Sequence, residues 1–124
     1  MSTEPRLYNV HKLEKIALPT EDGCVFMEMA TINYCEADGN YTTVHFLDKT
    51  RIVVINTLME VLSLLPKETF FKIHDKHGVN LNQCKKFDKV TSKVEMENGE
   101  KLKVARRRIA EFKEIYMNPN LGKD

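Results

Sequence analysis

The sequence has few cysteines and no arrangement of them that points to a disulfide or metal site. Among 124 residues there are three cysteines, Cys24, Cys35 and Cys84, with no C-x-x-C pair. An odd number of widely spaced cysteines argues against a disulfide framework and a structural zinc site. We therefore expect three buried or half-buried thiols in a reducing compartment, with no metal and no cofactor.

Membrane and secretion signals are also missing. No apolar run approaches the roughly 18 to 20 residues that span a bilayer. The N-terminus lacks the basic-then-apolar order of a signal peptide. The sequence therefore predicts a cytoplasmic protein with no membrane contact.

Motifs for catalysis are absent as well. Serine never occurs within G-x-S-x-G, and no glycine-rich phosphate loop exists. The carboxylates Glu36, Asp38 and Asp48 are not placed near a nucleophile by any motif. We therefore expect that the protein is not an enzyme and has no catalytic residue. An enzyme would need a pocket that holds carboxylates or histidines with shifted pKa values.

The composition is that of one ordinary globular domain. Hydrophobic residues make up 42% and charged residues 30% of the chain, a mix typical of a domain with a real core. We predict a domain over residues 13–117, a flexible arm over 1–12 and a disordered tail over 118–124.

Most of the domain has the pattern of short strands. Segments 41–47 and 51–56 are rich in β-branched and aromatic residues and are linked as a hairpin. Segment 31–37 is a short apolar run, and 15–18 and 24–28 flank a stretch with the composition of a turn. Segment 70–80 fits a strand that leads into a turn. We expect a mainly β, compact domain of short antiparallel sheets and hairpins with small helices.

Two helices are predicted. Thr57 and Glu60 have the spacing of a capping box, in which each side chain bonds the other residue's backbone N–H. An apolar stripe follows (Leu58, Val61, Leu62, Leu65), and Pro66 should end that helix. The second helix, Arg106–Met117, is amphipathic and C-terminal.

A hairpin is predicted over 93–104, centred on Asn98-Gly99. A three-residue loop, Asn98 to Glu100, would pair Met96 with Leu102 and Val94 with Val104. The polar neighbours would then pair by opposite charge, Glu97 with Lys101 and Glu95 with Lys103. We predict this register, from the three-residue connection or from a bulge with the same effect, in preference to a two-residue loop.

The strongest functional signal is a basic run. Residues 1–60 carry five Lys and Arg against nine Asp and Glu, a net −4, whereas residues 61–124 carry fourteen against nine, a net +5. The basic run consists of Lys101, Lys103, Arg106, Arg107 and Arg108. Arginines at a helix N-terminus interact unfavourably with the helix dipole, so their presence there indicates a function. Together with the free backbone N–H groups of the helix start, they would form an anion site suited to DNA phosphates. The alternative is a solvated helix start with its arginines in water.

His74 and His77 form a second candidate. Their spacing matches no standard zinc site. Two interpretations stay open: one histidine buried and hydrogen-bonded with the other exposed, or a polar loop that touches DNA with His, Lys and Asn as donors.

Three segments together resemble the LytTR family of bacterial transcription regulators. Segment 34–42, with Glu36-Ala37 and Asn40-Tyr41, resembles the family's E-A-x-x-N-Y. Segment 70–80 resembles F-x-R-x-H-x-S-x-x-V-N, and segment 98–108 resembles D-G-x-x-x-x-V-S-R-R-R. The order and spacing match over about residues 15–117.

The resemblance implies a β domain that regulates transcription by binding double-stranded promoter DNA through edge loops. Such domains enter neighbouring major grooves at direct repeats, bound by two copies, and bend the duplex. Carried over by position, the DNA-facing residues would be Asn40, Tyr41, Asp75 with its neighbours His74 and Lys76, and Arg106. The basic run adds Lys103, Arg107 and Arg108 to the expected DNA-binding residues. Phe71, Val79 and Asn80 would be scaffold.

The sequence departs from the family pattern at three positions. Asp75 replaces a basic or amide residue, so phosphate should repel it, although it could accept a hydrogen bond from cytosine N4. Lys76 and Ala105 replace serines, and Ala105 removes an expected N-cap. Asp75 and the near-neutral net charge of +1 motivate an alternative function, a protein-interaction module that keeps the fold but has weakened DNA readout. A regulatory protein would then be a partner.

Many relatives carry a phospho-receiver domain before this one. No α/β segment of about 110 residues precedes Lys15, and Met1 favours a stand-alone regulator over a fragment.

Overall fold

A computed structural model of the protein describes residues 14–117. The predicted arm over 1–12 and tail over 118–124 lie outside these residues. Within them the strands are β1 Lys15–Thr20, β2 Gly23–Glu28, β3 Ile32–Asp38, β4 Tyr41–Phe46, β5 Arg51–Val54, β6 Phe70–His74, β7 His77–Asn80, β8 Cys84–Asp88, β9 Lys93–Met96 and β10 Lys101–Lys103, and the helices are α1 Leu58–Ser63 and α2 Arg106–Met117. The mainly β prediction is confirmed. Neither helix described is long and apolar enough to cross a membrane.

Three antiparallel sheets form the domain. The central sheet has the strand order β5-β4-β3-β7-β6, and it lies between the β1-β2 hairpin and the sheet β10-β9-β8. One core joins the central sheet to β1 and α1, with Leu18, Val44 and Val61 fully buried. The other core joins it to β9, β10 and α2, around Val79 and Phe112. The central sheet is therefore covered on both faces.

The first helix forms as predicted. The Thr57 hydroxyl accepts from the Glu60 N–H at 3.3 Å, and the Glu60 carboxylate accepts from the Thr57 N–H at 3.0 Å. Leu58 and Val61 bury the apolar face against the central sheet. The helix ends at Ser63, before the proline that was expected to end it.

Segment 70–80 contains two strands where the sequence predicted one strand leading into a turn. The strands β6 and β7 pair as a hairpin, with Phe71 opposite Val79, and turn at Asp75-Lys76. The strand β8 was not predicted at all. A register irregularity between Cys84 and Lys86 interrupts its alternation, so the period of two that marks a strand is lost.

The predicted register of the β9–β10 hairpin is wrong. Leu102 lies opposite Val94, and Lys101 lies opposite Glu95. Both residues of β10 face partners that lie earlier in β9 than predicted, and Leu102 still faces an apolar residue. The shift does place Lys103 opposite Lys93, a like-charge pair that pairing by opposite charge had argued against.

The turn chemistry explains this register. The Met96 N–H donates to the Glu100 carbonyl at 2.7 Å, and the Gly99 N–H donates to the Met96 carbonyl at 2.9 Å. Gly99 has φ 95°, the left-handed region that glycine favours. A three-residue loop that ends in a left-handed glycine is a common hairpin connection. The loop therefore comprises residues 97–99 and closes one residue earlier than predicted.

The expectation for the cysteines is wrong at one position. Cys35 is buried and Cys84 half-buried, but Cys24 is exposed. In β2 the half-buried side chains alternate with exposed ones, and Val25 and Met27 occupy the inner face. Cys24 therefore points outward. Burial raises the pKa of the Cys35 thiol to about 12, which keeps it protonated.

Candidate nucleic-acid interface

Two strand turns lie side by side at one edge of the central sheet. The β3–β4 turn is at Gly39-Asn40, and the β6–β7 turn is at Asp75-Lys76. Because β3 pairs antiparallel with both β4 and β7, the end of β3 meets the starts of its neighbours. The Ala37 N–H donates to the Lys76 carbonyl at 2.8 Å and ties the two turns together.

The start of α2 joins the same edge. The Ala105 N–H donates to the Ile73 carbonyl at 2.7 Å, which anchors the strand-to-helix corner to β6. The Arg107 guanidinium forms an ion pair with the Asp75 carboxylate. We call residues 38–41, 74–76 and 105–108 the loop edge.

Asn40 and Tyr41 project from the first turn and are exposed. Gly39 has φ 62°, the positive value that a type II′ hairpin turn requires at its first central position. The Tyr41 hydroxyl donates to the Glu21 carboxylate at 3.4 Å, a partner from the β1–β2 turn that sequence patterns did not indicate. Both a phenol and a carboxamide are thus presented to solvent.

In the second turn, Asp75 and Lys76 are exposed and His74 is half-buried. The His74 Nδ1 accepts the Lys76 N–H at 3.2 Å, so the proton of a neutral ring lies on Nε2. His77 is also half-buried. The hypothesis of one buried and one exposed histidine is therefore wrong, because β6 and β7 place both rings on the same partly covered face, 6.3 Å apart.

The three arginines of α2 differ in position. Arg106 and Arg107 are exposed, whereas Arg108 is half-buried with its Nη1 3.4 Å from a Glu111 oxygen. Lys103, at the end of β10, is exposed beside the corner. The ion pairs of Arg107 and Arg108 offset part of the unfavourable interaction with the helix dipole. Arg106 and Arg107 are therefore the arginines of α2 that face solvent.

Asp75 has cationic neighbours that the sequence did not reveal. Besides Arg107, the Lys72 Nζ lies 4.0 Å from the Asp75 carboxylate. Recognition of the β6–β7 hairpin would have placed Lys72 near the turn. The partner Arg107 is 32 residues away in the sequence, and no local pattern indicates it.

A histidine–carboxylate cluster lies behind the loop edge. Glu36 in β3 faces His77 in β7, with 3.7 Å between a carboxylate oxygen and Nε2, and the His45 Nε2 lies 2.9 Å from the other oxygen. Tyr34 stacks on His45 with ring centroids 4.3 Å apart. Burial lowers the pKa of His77, although Glu36 opposes this shift. The cluster contains side chains from three strands. The sequence did not indicate it, because its members belong to no common motif.

The positions expected to be scaffold lie inside the fold. Val79 and Asn80 are buried, and Phe71 packs against the second core. The Asn80 Nδ2 donates to the Ile32 carbonyl at 2.8 Å, which ties β7 to the start of β3. No group of three or more histidine, cysteine or acidic side chains within residues 14–117 could hold a metal ion.

The domain is mainly β, and exposed arginines lie on its loop edge. The family model described as the LytTr DNA-binding domain matches residues 22–117. The chain belongs to the LytTR family. It is therefore a DNA-binding domain of the kind found in transcription regulators, and the family is one of DNA-binding domains, not of enzymes.

Comparison with solved structures supports the same assignment. The fold is similar to a LytTr DNA-binding domain from Bacillus cereus, with a TM-score of 0.68 and 27% sequence identity. The match covers 81% of this chain and 94% of the other. A comparison with curated proteins found no match.

Proposed function

We propose that the domain, over residues 13–117, reads promoter sequence by inserting the loop edge into the major groove of duplex DNA. The major groove is about 12 Å wide and distinguishes all four base pairs. Two-residue turns and the first turn of a helix are narrow enough to enter it. The chain would act where bacterial DNA lies, in the cytoplasm.

The observation that carries this proposal is the connection of three loops by backbone hydrogen bonds. The hydrogen bonds from Ala37 to Lys76 and from Ala105 to Ile73 join separate segments of the chain into one surface. Arg106 and Arg107 are exposed on that surface. A site held by backbone bonds needs little ordering when DNA binds, which favours affinity.

Each exposed side chain has a chemical role in this proposal. Arg106 can bond guanine O6 and N7 with its two-pronged fork, and Asn40 can bond adenine N6 and N7. Lys76, Lys103 and Arg107 would contact phosphates and set the position of the domain. Tyr41 and His74 would add hydrogen bonds, and Arg108 would act through the field of the helix start.

We further propose that two copies bind direct repeats. A domain of about 100 residues has a radius of gyration of about 13 Å, so it covers roughly one helical turn of DNA. One turn is about 34 Å. Two copies at that spacing would place the same loop edge in neighbouring major grooves on one side of the duplex.

Selection from a random duplex pool at about 150 mM salt tests sequence readout, because exposed charges are then screened beyond about 8 Å. We expect an enriched motif, repeated at one helical turn. If a folded protein enriches no motif, sequence-specific readout is refuted.

Arg106→Ala tests the proposed base contact. It should weaken binding to the selected site by about 1 to 3 kcal/mol and relax specificity at one position. The matched control is Arg51→Ala, since Arg51 is exposed and lies at the other end of the sheet, opposite His45. Equal losses in the two variants would mean that only net charge matters.

The alternative, an interaction module with weakened DNA readout, rested on the charge of Asp75 and on the near-neutral net charge of the chain. The Asp75 carboxylate has Arg107 and Lys72 beside it, so its repulsion of phosphate is reduced. Salt separates the two functions, because DNA affinity falls steeply with salt through counterion release. A flat salt response would favour the alternative.

A further inference from the structure

A groove between β8 and the C-terminal half of α2 takes no part in the proposed DNA contact. Its volume is about 760 Å³. Its apolar floor consists of Leu81, Phe87, Val94, Phe112, Ile115 and Tyr116. The Phe87 ring lies 5.3 Å from that of Phe112 and 5.9 Å from that of Tyr116. This size and this aromatic floor are typical of binding sites.

The rim of the groove has one sign of charge. It carries four exposed lysines, Lys85, Lys86, Lys89 and Lys113, and no acidic side chain is among the described residues that line it. At its open end Tyr116 and Met117 are 47% and 63% exposed. An occupant that matches this lysine-rimmed groove has an apolar face bordered by carboxylates.

The lysine-rimmed groove is separate from the loop edge. The helix α2 starts at Arg106 on that edge, and Tyr116 lies ten residues further, about 15 Å along the axis. Leu81 follows β7, which starts at the loop edge and runs away from it. A second ligand can therefore occupy the groove while the loop edge is engaged.

We propose that the lysine-rimmed groove docks an acidic amphipathic helix of a partner protein. Such a helix presents apolar side chains at i, i+3, i+4 and i+7, which would cover Phe87 and Tyr116. Glu and Asp on its flanks would meet Lys86 and Lys113 across the groove. Duplex DNA would pair with the lysines but leave the aromatic floor exposed, so the chemistry favours a peptide.

The test uses the full chain and a labelled synthetic peptide of about 16 residues, long enough for four helical turns. The peptide carries Leu at i, i+3, i+4 and i+7 and Glu elsewhere. The control peptide replaces each Glu by Lys. By fluorescence anisotropy we expect the acidic peptide to bind at least about tenfold tighter and to weaken as salt rises.

Two pairs of variants assign the contact to the groove. Lys86→Glu with Lys113→Glu should weaken binding at least about tenfold, whereas Lys15→Glu with Lys67→Glu, the same charge change elsewhere, should not. Tyr116→Ser should also weaken peptide binding, because it removes an aromatic side chain from the floor of the groove. Its control is Met59→Ser on α1, where the side chain is 66% exposed.

Several results would overturn the proposal. Equal binding of the two peptides would remove the charge argument, and variants without effect would place the contact elsewhere. Competition by duplex DNA would make the groove part of a nucleic-acid surface. Tighter peptide binding by a chain ended at Met117 would make the remaining tail the occupant. A dimer that Lys113→Glu dissociates would make a second copy the occupant.

Discussion

Replacing Asp75 by asparagine removes one carboxylate from the loop edge and leaves the side-chain size nearly unchanged. In the folded protein this carboxylate pairs with Arg107 and lies 4.0 Å from the Lys72 Nζ. The proposed function makes Arg107 a phosphate contact. The ion pair would then compete with DNA for the guanidinium, and Asp75→Asn should release it.

The effect on folding should be small. The Asp75 and Arg107 side chains are 63% and 64% exposed, and exposed ion pairs contribute about 0 to 1 kcal/mol. We therefore expect the free energy of unfolding of Asp75→Asn to fall by less than about 1 kcal/mol. Because so small a loss leaves nearly all of the protein folded, a change in the DNA affinity of this variant cannot come from partial unfolding.

The effect on DNA binding follows from counterion release. One additional phosphate contact changes the slope of log K against log salt by about −0.9. At 0.15 M salt that slope corresponds to about fivefold tighter binding. The gain should appear on random duplex as well as on the selected site, because phosphates carry no sequence information.

The assay is equilibrium binding to selected and random duplexes over a range of salt. Glu68→Gln is the matched control, since Glu68 is exposed and precedes β6 at the end remote from the loop edge. In an Arg107→Ala background the gain from Asp75→Asn should vanish, which a double-mutant cycle measures. A selective loss on the selected site would refute this reasoning and make Asp75 a base contact. An unchanged salt slope would refute it as well.

Three further predictions concern the scaffold behind the loop edge. Asn80→Leu leaves the buried Ile32 carbonyl without its donor and should lower the free energy of unfolding in urea by about 1 to 3 kcal/mol; a neutral result would contradict the hydrogen bond. In Gly78→Ala the added Cβ would lie 2.8 Å from the Leu62 Cδ2, so overpacking should lower the free energy of unfolding by about 1 kcal/mol, and by less when the substitution is made in a Leu62→Ala background. Because burial lowers the pKa of His77 below 6.5, the unfolded chain takes up its proton first as the pH falls. Stability should therefore decline as the pH falls from about 7.5 through 6.5, less so in His77→Gln, and equal pH profiles of the two proteins would contradict this.

Local patterns predicted the elements whose signals lie within a few residues. The capping box of Thr57 and Glu60 predicted the start of α1, and the bounds of α2, Arg106–Met117, follow from one amphipathic repeat. Apolar, β-branched and aromatic segments between turn residues predicted most of the strands in the first half of the chain. These elements were predictable because hydrogen bonding and side-chain periodicity act between residues close in sequence.

Predictions failed where a turn or an irregularity overrides the pattern. Opposite-charge pairing placed the β9–β10 loop at Asn98 to Glu100, but Gly99 closes it one residue earlier. The need for glycine at the left-handed position of the turn outweighs cross-strand charge pairs, which contribute only about 0.2 to 1 kcal/mol. The irregularity next to Cys84 hid β8 in the same way.

The sequence by itself determined most of the element types, the mainly β class and, through three spaced motifs, the family. Only the tertiary structure decided how the candidate residues are arranged relative to one another in space. It paired Asp75 with Arg107, turned Arg108 along the helix and placed lysines of β8 and α2 around one aromatic groove. These relations join residues that are distant in the chain, and local periodicity carries no information about which distant residues meet when strands pair and helices pack.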